Sequence, residues 1–230
     1  MKEFYRRHLP HWHPQGAVFF ITFRLKNSLP YEVIESLREE REREKAALHN
    51  FPKSERANQN NLVEGRYFEK WEEYLDKAEF GPRWLSQPKI ADIVNEALHY
   101  RDGKVFDLHA FCIMSNHVHT VFEPLSKSGM SDCQSDIPTY KSGWQPDLRS
   151  DYQSDLPDLP KIMQSLKRHT ARQANQFLGR GGAFWQDESY DRVIRDSDEY
   201  VRILNYVLEN PVKAGLVSRW DQWQWTYCKA

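Results

Sequence analysis

The feature that most constrains the fold of this sequence is a pair of apolar segments joined by a two-residue turn. Residues 105–114 (VFDLHAFCIM) are mostly apolar, Ser115 and Asn116 form the turn, and residues 117–123 (HVHTVFE) return. Apolar runs rich in β-branched and aromatic residues, bounded by turn residues, are typical of strands. A connection this short joins antiparallel neighbours. The pattern therefore predicts a β-hairpin.

Two histidines occupy alternate positions at the start of the returning strand. Side chains at i and i+2 of a strand point to the same face, so His117 and His119 project side by side while Val118 points away. Two neutral imidazoles on a rigid strand form two corners of a metal site. Without nearby thiolates, Mg²⁺ or Mn²⁺ is at least as plausible as Zn²⁺. A bare H-x-H motif is more often two histidines on a half-exposed strand, but the adjacent turn favours a site.

The remaining segments predict further strands and helices around this hairpin. Residues 16–25 predict a first strand, 191–195 a short one, and the alternating aromatics at 223–227 a last one. The expected helices are at 66–77, 87–101, 159–178 and 197–210, with an almost wholly charged, solvated helix at 35–45. This order predicts an α+β fold, in which an antiparallel sheet packs against helices on one or both faces.

Composition excludes several classes of protein. The sequence is 40% hydrophobic and 28% charged, as in soluble globular proteins. No apolar run approaches the roughly 20 residues of a membrane span, and the polar N-terminus lacks a secretory signal. A cytoplasmic location is therefore expected, and a membrane partner is not. Three widely spaced cysteines favour reduced thiols over a disulfide framework or a zinc cluster.

Charge is unevenly distributed although the net charge is only −1. Residues 161–180 contain five Lys or Arg and no acid, whereas 129–160 contain six Asp. Such a basic helix could bind phosphate, although an ordinary solvated face is equally consistent with it. We expect one domain over 1–230, with a helical expansion at 30–100. An acidic insertion at 126–160, rich in Ser, Asp, Pro and Gln, is expected to be disordered.

The helix at 197–210 has clear start and stop signals. Asp196 followed by Glu199 supplies a capping box, and Pro211 predicts that the helix ends at the residue before it. Its apolar arc is formed by Tyr200, Val201, Ile203, Leu204, Val207 and Leu208.

Tyr206 lies outside that apolar arc. Arg202 and Asn210 are four residues before and after it, so the three share a face. A tyrosine hydroxyl can attack a phosphodiester, and an arginine one turn away can steady the phosphate. The amide of Asn210 can reach a metal through its oxygen. An amphipathic tyrosine at the surface explains the helix pattern at least as well.

Four segments together resemble the HUH endonuclease superfamily, and within it the REP-associated tyrosine transposases. They are CIMSNHVHTVFEP around the hairpin turn, NYVLENPVKAGL in the late helix, WQDESYDRVIRD before it, and more loosely RRHLPHWHPQGAVFFITFRL near the start. They occur in the order of that family and cover about half of the chain.

The resemblance implies a ferredoxin-like sheet, with the two histidines on a central strand and the tyrosine on a facing helix. It implies that His117 and His119 bind Mg²⁺ or Mn²⁺. The nucleophile of the family falls five residues before the proline of an N-P step, which is Tyr206 here. Its third ligand, a polar residue one turn later, would be Asn210.

DNA contacts and an alternative nucleophile can also be assigned. The expected DNA-binding residues are Lys167, Arg168, Arg172, Arg192, Arg195, Arg202 and Trp185. Trp185 could stack on a splayed base, although a core indole is its commoner role. Tyr190 is the alternative nucleophile, ranked second because it has no obvious metal-facing partner.

The resemblance implies a metal-dependent single-strand DNA endonuclease and strand transferase, a transposase acting on hairpin-containing DNA through a 5′-phosphotyrosine. Its partners would be single-stranded or hairpin DNA, and a homodimer is possible. One alternative is a non-catalytic regulatory protein that binds such DNA on the same fold. Another is a zinc hydrolase with water as nucleophile, which has no use for Tyr206.

Overall fold

The computed structural model describes residues 4–6, 10–12, 14, 16–125 and 159–229. The acidic insertion predicted at 126–160 lies outside the described residues, except for its last two positions, which begin a helix. Across the described ranges, no helix is both long and apolar enough to cross a membrane.

Five strands form one antiparallel sheet: β3 (Phe19–Arg24), β4 (Phe106–Ile113), β5 (His117–Pro124), β6 (Tyr190–Val193) and β7 (Thr226–Cys228). Their order across the sheet is β6-β3-β5-β4-β7. Two short strands, β1 (Phe4–Arg6) and β2 (Pro10–Trp12), pair separately near the N-terminus. The predicted hairpin is confirmed as β4 and β5, and β5 occupies the centre of the sheet.

Five α-helices accompany the sheet. They are α1 (Tyr31–Ala46), α2 (Arg56–Lys77), α3 (Pro88–Arg101), α4 (Leu159–Phe177) and α5 (Ser197–Lys213). The elements β3, α3, β4, β5, α4 and β6 follow in the βαββαβ order of a ferredoxin-like fold. The predicted α+β fold, an antiparallel sheet with helices packed on it, is confirmed.

The two faces of the sheet have different covers because strand side chains alternate between them. On one face, Phe19, Ile21 and Phe23 join the main core with residues of α3 and α4. On the other face, Phe20 packs in a smaller cluster with Val207 of α5, and Phe68 of α2 lies against that cluster. The histidines of β5 lie on this second face, since His119 stacks on Phe20 with ring centroids 5.7 Å apart.

The helices α1 and α2 form an ion-paired hairpin inserted after β3. Arg41 and Lys45 of α1 pair with Glu64 of α2, and Glu44 pairs with Arg66. The charged α1 is therefore packed against α2 rather than wholly solvated. The same contacts explain why α2 begins at Arg56, ten residues before the predicted start, since its polar first half is held by charge pairing that apolar periodicity cannot reveal.

A candidate metal and tyrosine site

The two histidines at the start of β5 are fully buried and held by polar neighbours. Asn116 Oδ1 accepts a hydrogen bond from His117 Nδ1 at 2.6 Å, and Thr22 Oγ1 lies 2.9 Å from His119 Nδ1. Asn116 is itself fixed, because its Nδ2 donates to the carbonyl oxygen of Leu75. These contacts leave the two Nε2 atoms facing each other 2.9 Å apart. Bonding at Nδ1 is what orients an imidazole to offer Nε2 to a metal.

The protonation state of His119 also suits a metal ligand. Burial lowers its pKa well below the ordinary histidine value, and the neighbouring His117 and Lys213 lower it further. At neutral pH the ring is therefore uncharged and its lone pair is available, as metal coordination requires.

Two carboxylates of α2 complete this cluster, and neither was predicted from the sequence. Glu72 Oε2 lies 3.2 Å from His119 Nε2, and Asp76 Oδ1 lies 3.4 Å from His117 Nε2. One ligand atom from each of the four residues lies within 4.8 Å of the others. The available signal was spacing, since both carboxylates follow Phe68 at intervals of four on the helix stripe that packs inward.

The helix α5 places the predicted tyrosine and asparagine against the same cluster. Tyr206 Oη donates a hydrogen bond to Glu72 Oε2 at 2.7 Å, and Asn210 Nδ2 lies 3.1 Å from His119 Nε2. Asn210 is fully buried, whereas Val201, predicted in the apolar arc, is 55% exposed. The side of α5 that faces the sheet thus includes the polar pair Tyr206 and Asn210.

The continuation of α5 through Pro211 keeps this geometry intact. The helix was predicted to end at Asn210, and that boundary is wrong, because α5 runs to Lys213. Proline removes its own N–H but not the carbonyl before it, and Asn210 O still accepts from Ala214 N at 3.0 Å. Asn210 therefore stays helical, one turn after Tyr206 and on the same face.

The donor set fits a divalent cation. Among the described residues, three buried oxygens at this site lack a hydrogen-bond partner: Glu72 Oε1, Asp76 Oδ1 and Asn210 Oδ1. Buried acceptors without a donor are rare and cost free energy, so each requires an explanation. Oxygen donors combined with imidazole nitrogens suit Mn²⁺ and Mg²⁺, and a cation among them would satisfy all three oxygens.

The electrostatics of the cluster act strongly on Tyr206 and Glu72. Burial, followed by the charge of Asp76, raises the pKa of Glu72 well above its ordinary value. Burial, followed by the charges of Glu72 and Asp76, raises the pKa of Tyr206 far above that of a free phenol. The Lys213 ammonium lies 4.9 Å from the centroid of the Tyr206 ring. In this arrangement Tyr206 is a neutral hydrogen-bond donor.

Three of the arginines expected to bind DNA lie on this side of the fold. Arg192 and Tyr206 line the same cleft, and Arg192 forms an ion pair with Glu199. Arg195 and Arg202 are exposed near the start of α5, and Arg202 Nε donates to the carbonyl oxygen of Asp198.

The other expected DNA-binding residues lie away from the cluster. Lys167, Arg168 and Arg172 belong to α4, which covers the opposite face of the sheet. Lys167 Nζ donates to the carbonyl oxygens of Gln186 and Asp187.

Two aromatic residues singled out in the sequence, Trp185 and Tyr190, pack against other side chains of the fold. Trp185 is in the core, 6% exposed, and its indole N–H donates to Thr170 Oγ1 at 2.8 Å. Tyr190 stacks on Phe68 with ring centroids 4.1 Å apart. Burial raises its pKa above the ordinary phenol value.

No protein-family model matches the sequence, and no curated protein matches it. Among solved structures, the chain is similar to one described as a REP-associated tyrosine transposase bound to a REP hairpin. The match covers 96% of this chain and 80% of the other, with 14% sequence identity and a TM-score of 0.44.

Proposed function

We propose that this protein is a divalent-metal-dependent single-strand DNA endonuclease and strand transferase that acts on hairpin-containing DNA through a 5′-phosphotyrosine. One observation carries the proposal. Tyr206 and Asn210, one turn apart on α5, both contact His119 of the buried β5 pair: the Tyr206 and His119 ring centroids are 5.4 Å apart, and Asn210 Nδ2 lies 3.1 Å from His119 Nε2. A tyrosine hydroxyl can attack a phosphodiester, and a metal held by the two imidazoles and the amide would assist that attack as a Lewis acid.

Five side chains would hold the metal, which is taken to be Mg²⁺ or Mn²⁺. They are His117, His119, Asn210, Glu72 and Asp76. When bound, the cation supplies Lewis acidity to a nonbridging oxygen of the scissile phosphate. Three of the five are the ligands predicted from the sequence, and the two carboxylates are contributed by α2.

The protein itself would supply the nucleophile and its orientation. Tyr206 Oη forms a bond to phosphorus while the bond from phosphorus to the 3′ oxygen breaks. The phenol gives up its proton and the leaving 3′ oxygen gains one, so the products are a 5′-phosphotyrosine and a free 3′-hydroxyl. Attack by a second 3′-hydroxyl reverses the step and joins two strands. The ring packing around Tyr206, including Phe20 at 5.9 Å, fixes the direction from which it attacks.

A second candidate is favoured by the carboxylates. Two histidines and two carboxylates within 4.8 Å also form the donor set of a metal-dependent hydrolase that uses water as nucleophile. In that case Tyr206 would orient Glu72 and form no bond to DNA.

Covalent capture tests the proposal. The full chain is incubated with radiolabelled single-stranded DNA hairpins carrying unpaired flanks, with Mn²⁺, and then denatured. We expect a labelled protein–DNA adduct that is lost in Tyr206→Phe, because this substitution removes the nucleophilic hydroxyl. The adduct should be kept in Tyr190→Phe, which also removes only a hydroxyl. The control Tyr74→Phe changes an exposed tyrosine of α2 and should have no effect.

Each other outcome contradicts the proposal in a specific way. An adduct that survives Tyr206→Phe and disappears in Tyr190→Phe would move the nucleophile to the alternative tyrosine. Cleavage without any adduct would establish the hydrolase, and binding without cleavage would establish the regulatory protein.

A further inference from the structure

A second cavity lies on the same face of the sheet as the candidate site. It has a volume of about 420 Å³, within the range of roughly 300–1,000 Å³ that is typical of small-molecule sites. Five aromatic side chains line it: Tyr31, Tyr67, Phe68, Trp71 and Tyr190. Planar aromatic walls favour a planar ligand that can stack on them.

A buried cation forms another part of the wall. Arg24 at the end of β3 is 5% exposed, donates to Ser28 Oγ at 3.1 Å, and lies 5.7 Å from the Trp71 ring. No carboxylate of the described residues forms an ion pair with it. Burial lowers the pKa of Arg24 to about 10, so it is still charged at neutral pH. A buried guanidinium that lines a cavity without an anionic partner offers N–H donors to a phosphate or a base edge.

One acid on the wall is already paired with another cation, since Glu35 forms an ion pair with Arg38 at 2.7 Å. The cavity therefore combines stacking surfaces with a cation, which is the combination used by proteins that bind single-stranded nucleic acids.

The position of the cavity relates it to the proposed chemistry. Phe68 lines both this cavity and the cleft in front of Tyr206. Trp71 directly precedes Glu72 on α2, and Arg24 is paired directly opposite His117 in the sheet. Opposed residues of paired strands place their side chains about 5 Å apart on one face. A DNA strand whose scissile phosphate reached the metal ligands would thus pass the mouth of the cavity.

We propose that this cavity binds one unpaired nucleotide of the DNA strand next to the scissile phosphate. The base would stack on one of the aromatic rings of the wall, and the Arg24 guanidinium would contact its phosphate or base edge. This inference rests on the proposed function, and it assigns to α1 and α2 a role in recognising the substrate. A helical insertion in this position would then select which single-stranded flank is cut.

Photocrosslinking without metal tests the inference separately from cleavage. The full chain is mixed, in the presence of a chelator, with a single-stranded DNA pool of random sequence containing 5-iododeoxyuridine. The mixture is irradiated, and the modified peptides are mapped by mass spectrometry. We expect adducts on Tyr31, Trp71 or Tyr190. Adducts confined to peptides outside the cavity would overturn the inference.

Binding of a fluorescent oligonucleotide pool of the same design provides the quantitative arm. We expect Trp71→Ala to raise the dissociation constant roughly tenfold, the size of effect that loss of one base stack causes, and Arg24→Gln to raise it because a cationic contact is lost. Tyr31→Ala, at a residue that is 71% exposed, gives the same test without risk to folding. Tyr74→Ala, on α2 but outside the cavity, is the matched control.

Unchanged affinity in both Tyr31→Ala and Trp71→Ala would refute nucleotide binding here, whatever the adduct assay shows. Conversely, photocrosslinks in the cavity, combined with no phosphotyrosine adduct in the covalent-capture assay, would reject the proposed chemistry and still support the nucleotide site.

Discussion

Glu72 contributes to the candidate site but lowers the stability of the folded protein. Its side chain is buried, accepts the Tyr206 hydroxyl, and has one oxygen without a partner. Burial and Asp76 raise its pKa, so without metal the folded state disfavours the carboxylate that a metal would require. Buried charges without compensation destabilise proteins and persist mainly where function needs them.

Replacing Glu72 with glutamine should therefore have opposite effects with and without metal. In a chelator, Glu72→Gln should raise the melting temperature by roughly 2–4 °C, the shift that ~1 kcal/mol causes in a chain of this size. In Mn²⁺ the variant should gain less stability than the wild type, because it lacks an anionic ligand. Thermal melts in both buffers check this, with the exposed neighbour Glu73→Gln as control. A variant that melts below the wild type in chelator would contradict the argument.

Local spacing predicted some of these residues and could not predict others. His117 and His119 share a face because they are two apart on a strand, and Tyr206 and Asn210 because they are four apart on a helix. Glu72 and Tyr206 are 134 residues apart in sequence, and only the packing of α2 over the sheet brings them together. The spacing of residues within either helix alone could not predict that contact.

At the scale of elements, α5 is the part whose position matters most for the site. Asp196 Oδ1 accepts from Glu199 N at 2.8 Å, and Glu199 Oε2 accepts from Arg195 N at 2.9 Å. The Asp196 half of the capping box predicted from the sequence is thus present, whereas the glutamate accepts from Arg195 N instead of from the N–H of Asp196. The Asp196 cap fixes the start of the helix that carries Tyr206 and Asn210.

Loss of this cap should weaken the protein without altering the site directly. Asp196→Ala should lower the free energy of unfolding by about 1 kcal/mol. That corresponds to a decrease of roughly 2–4 °C in melting temperature. Differential scanning calorimetry measures it, and Asp198→Ala, an exposed acid in the same first turn, is the control. Equal losses in the two variants would mean that helix-dipole charge, rather than the hydrogen bond to Glu199, provides the stabilisation.

The elements themselves were predictable to different extents. The β4–β5 hairpin, α3 and α4 follow from apolar periodicity and turn residues, because each buries a regular stripe. The first half of α2 was missed because it is held to α1 by pairs such as Arg41 with Glu64. Charge pairing between helices leaves no apolar pattern in either sequence.

At the scale of the whole molecule, the helical expansion acts as a cover. The βαββαβ core includes β5, which carries the histidines, and the helices α3 and α4, which cover the opposite face of the sheet. The helix α5 crosses the face that carries the histidines. The hairpin of α1 and α2, inserted between β3 and β4, folds over that same face and brings Glu72 and Asp76 to the cluster. A bound cation would therefore join three parts of the molecule: the sheet, α5 and the expansion.

Metal binding should accordingly stabilise the protein and clamp α2 to the sheet. At 100 times its dissociation constant, Mn²⁺ should add about 2.7 kcal/mol of stability. Hydrogen exchange followed by mass spectrometry should show slower exchange in α2, while α3 and α4 on the opposite face change less. Glu72→Gln combined with Asp76→Asn leaves three ligands on β5 and α5, so Mn²⁺ should still bind, more weakly, without protecting α2. Protection of α2 in that double variant, or none in the wild type, would show that the expansion covers the site without taking part in the metal centre.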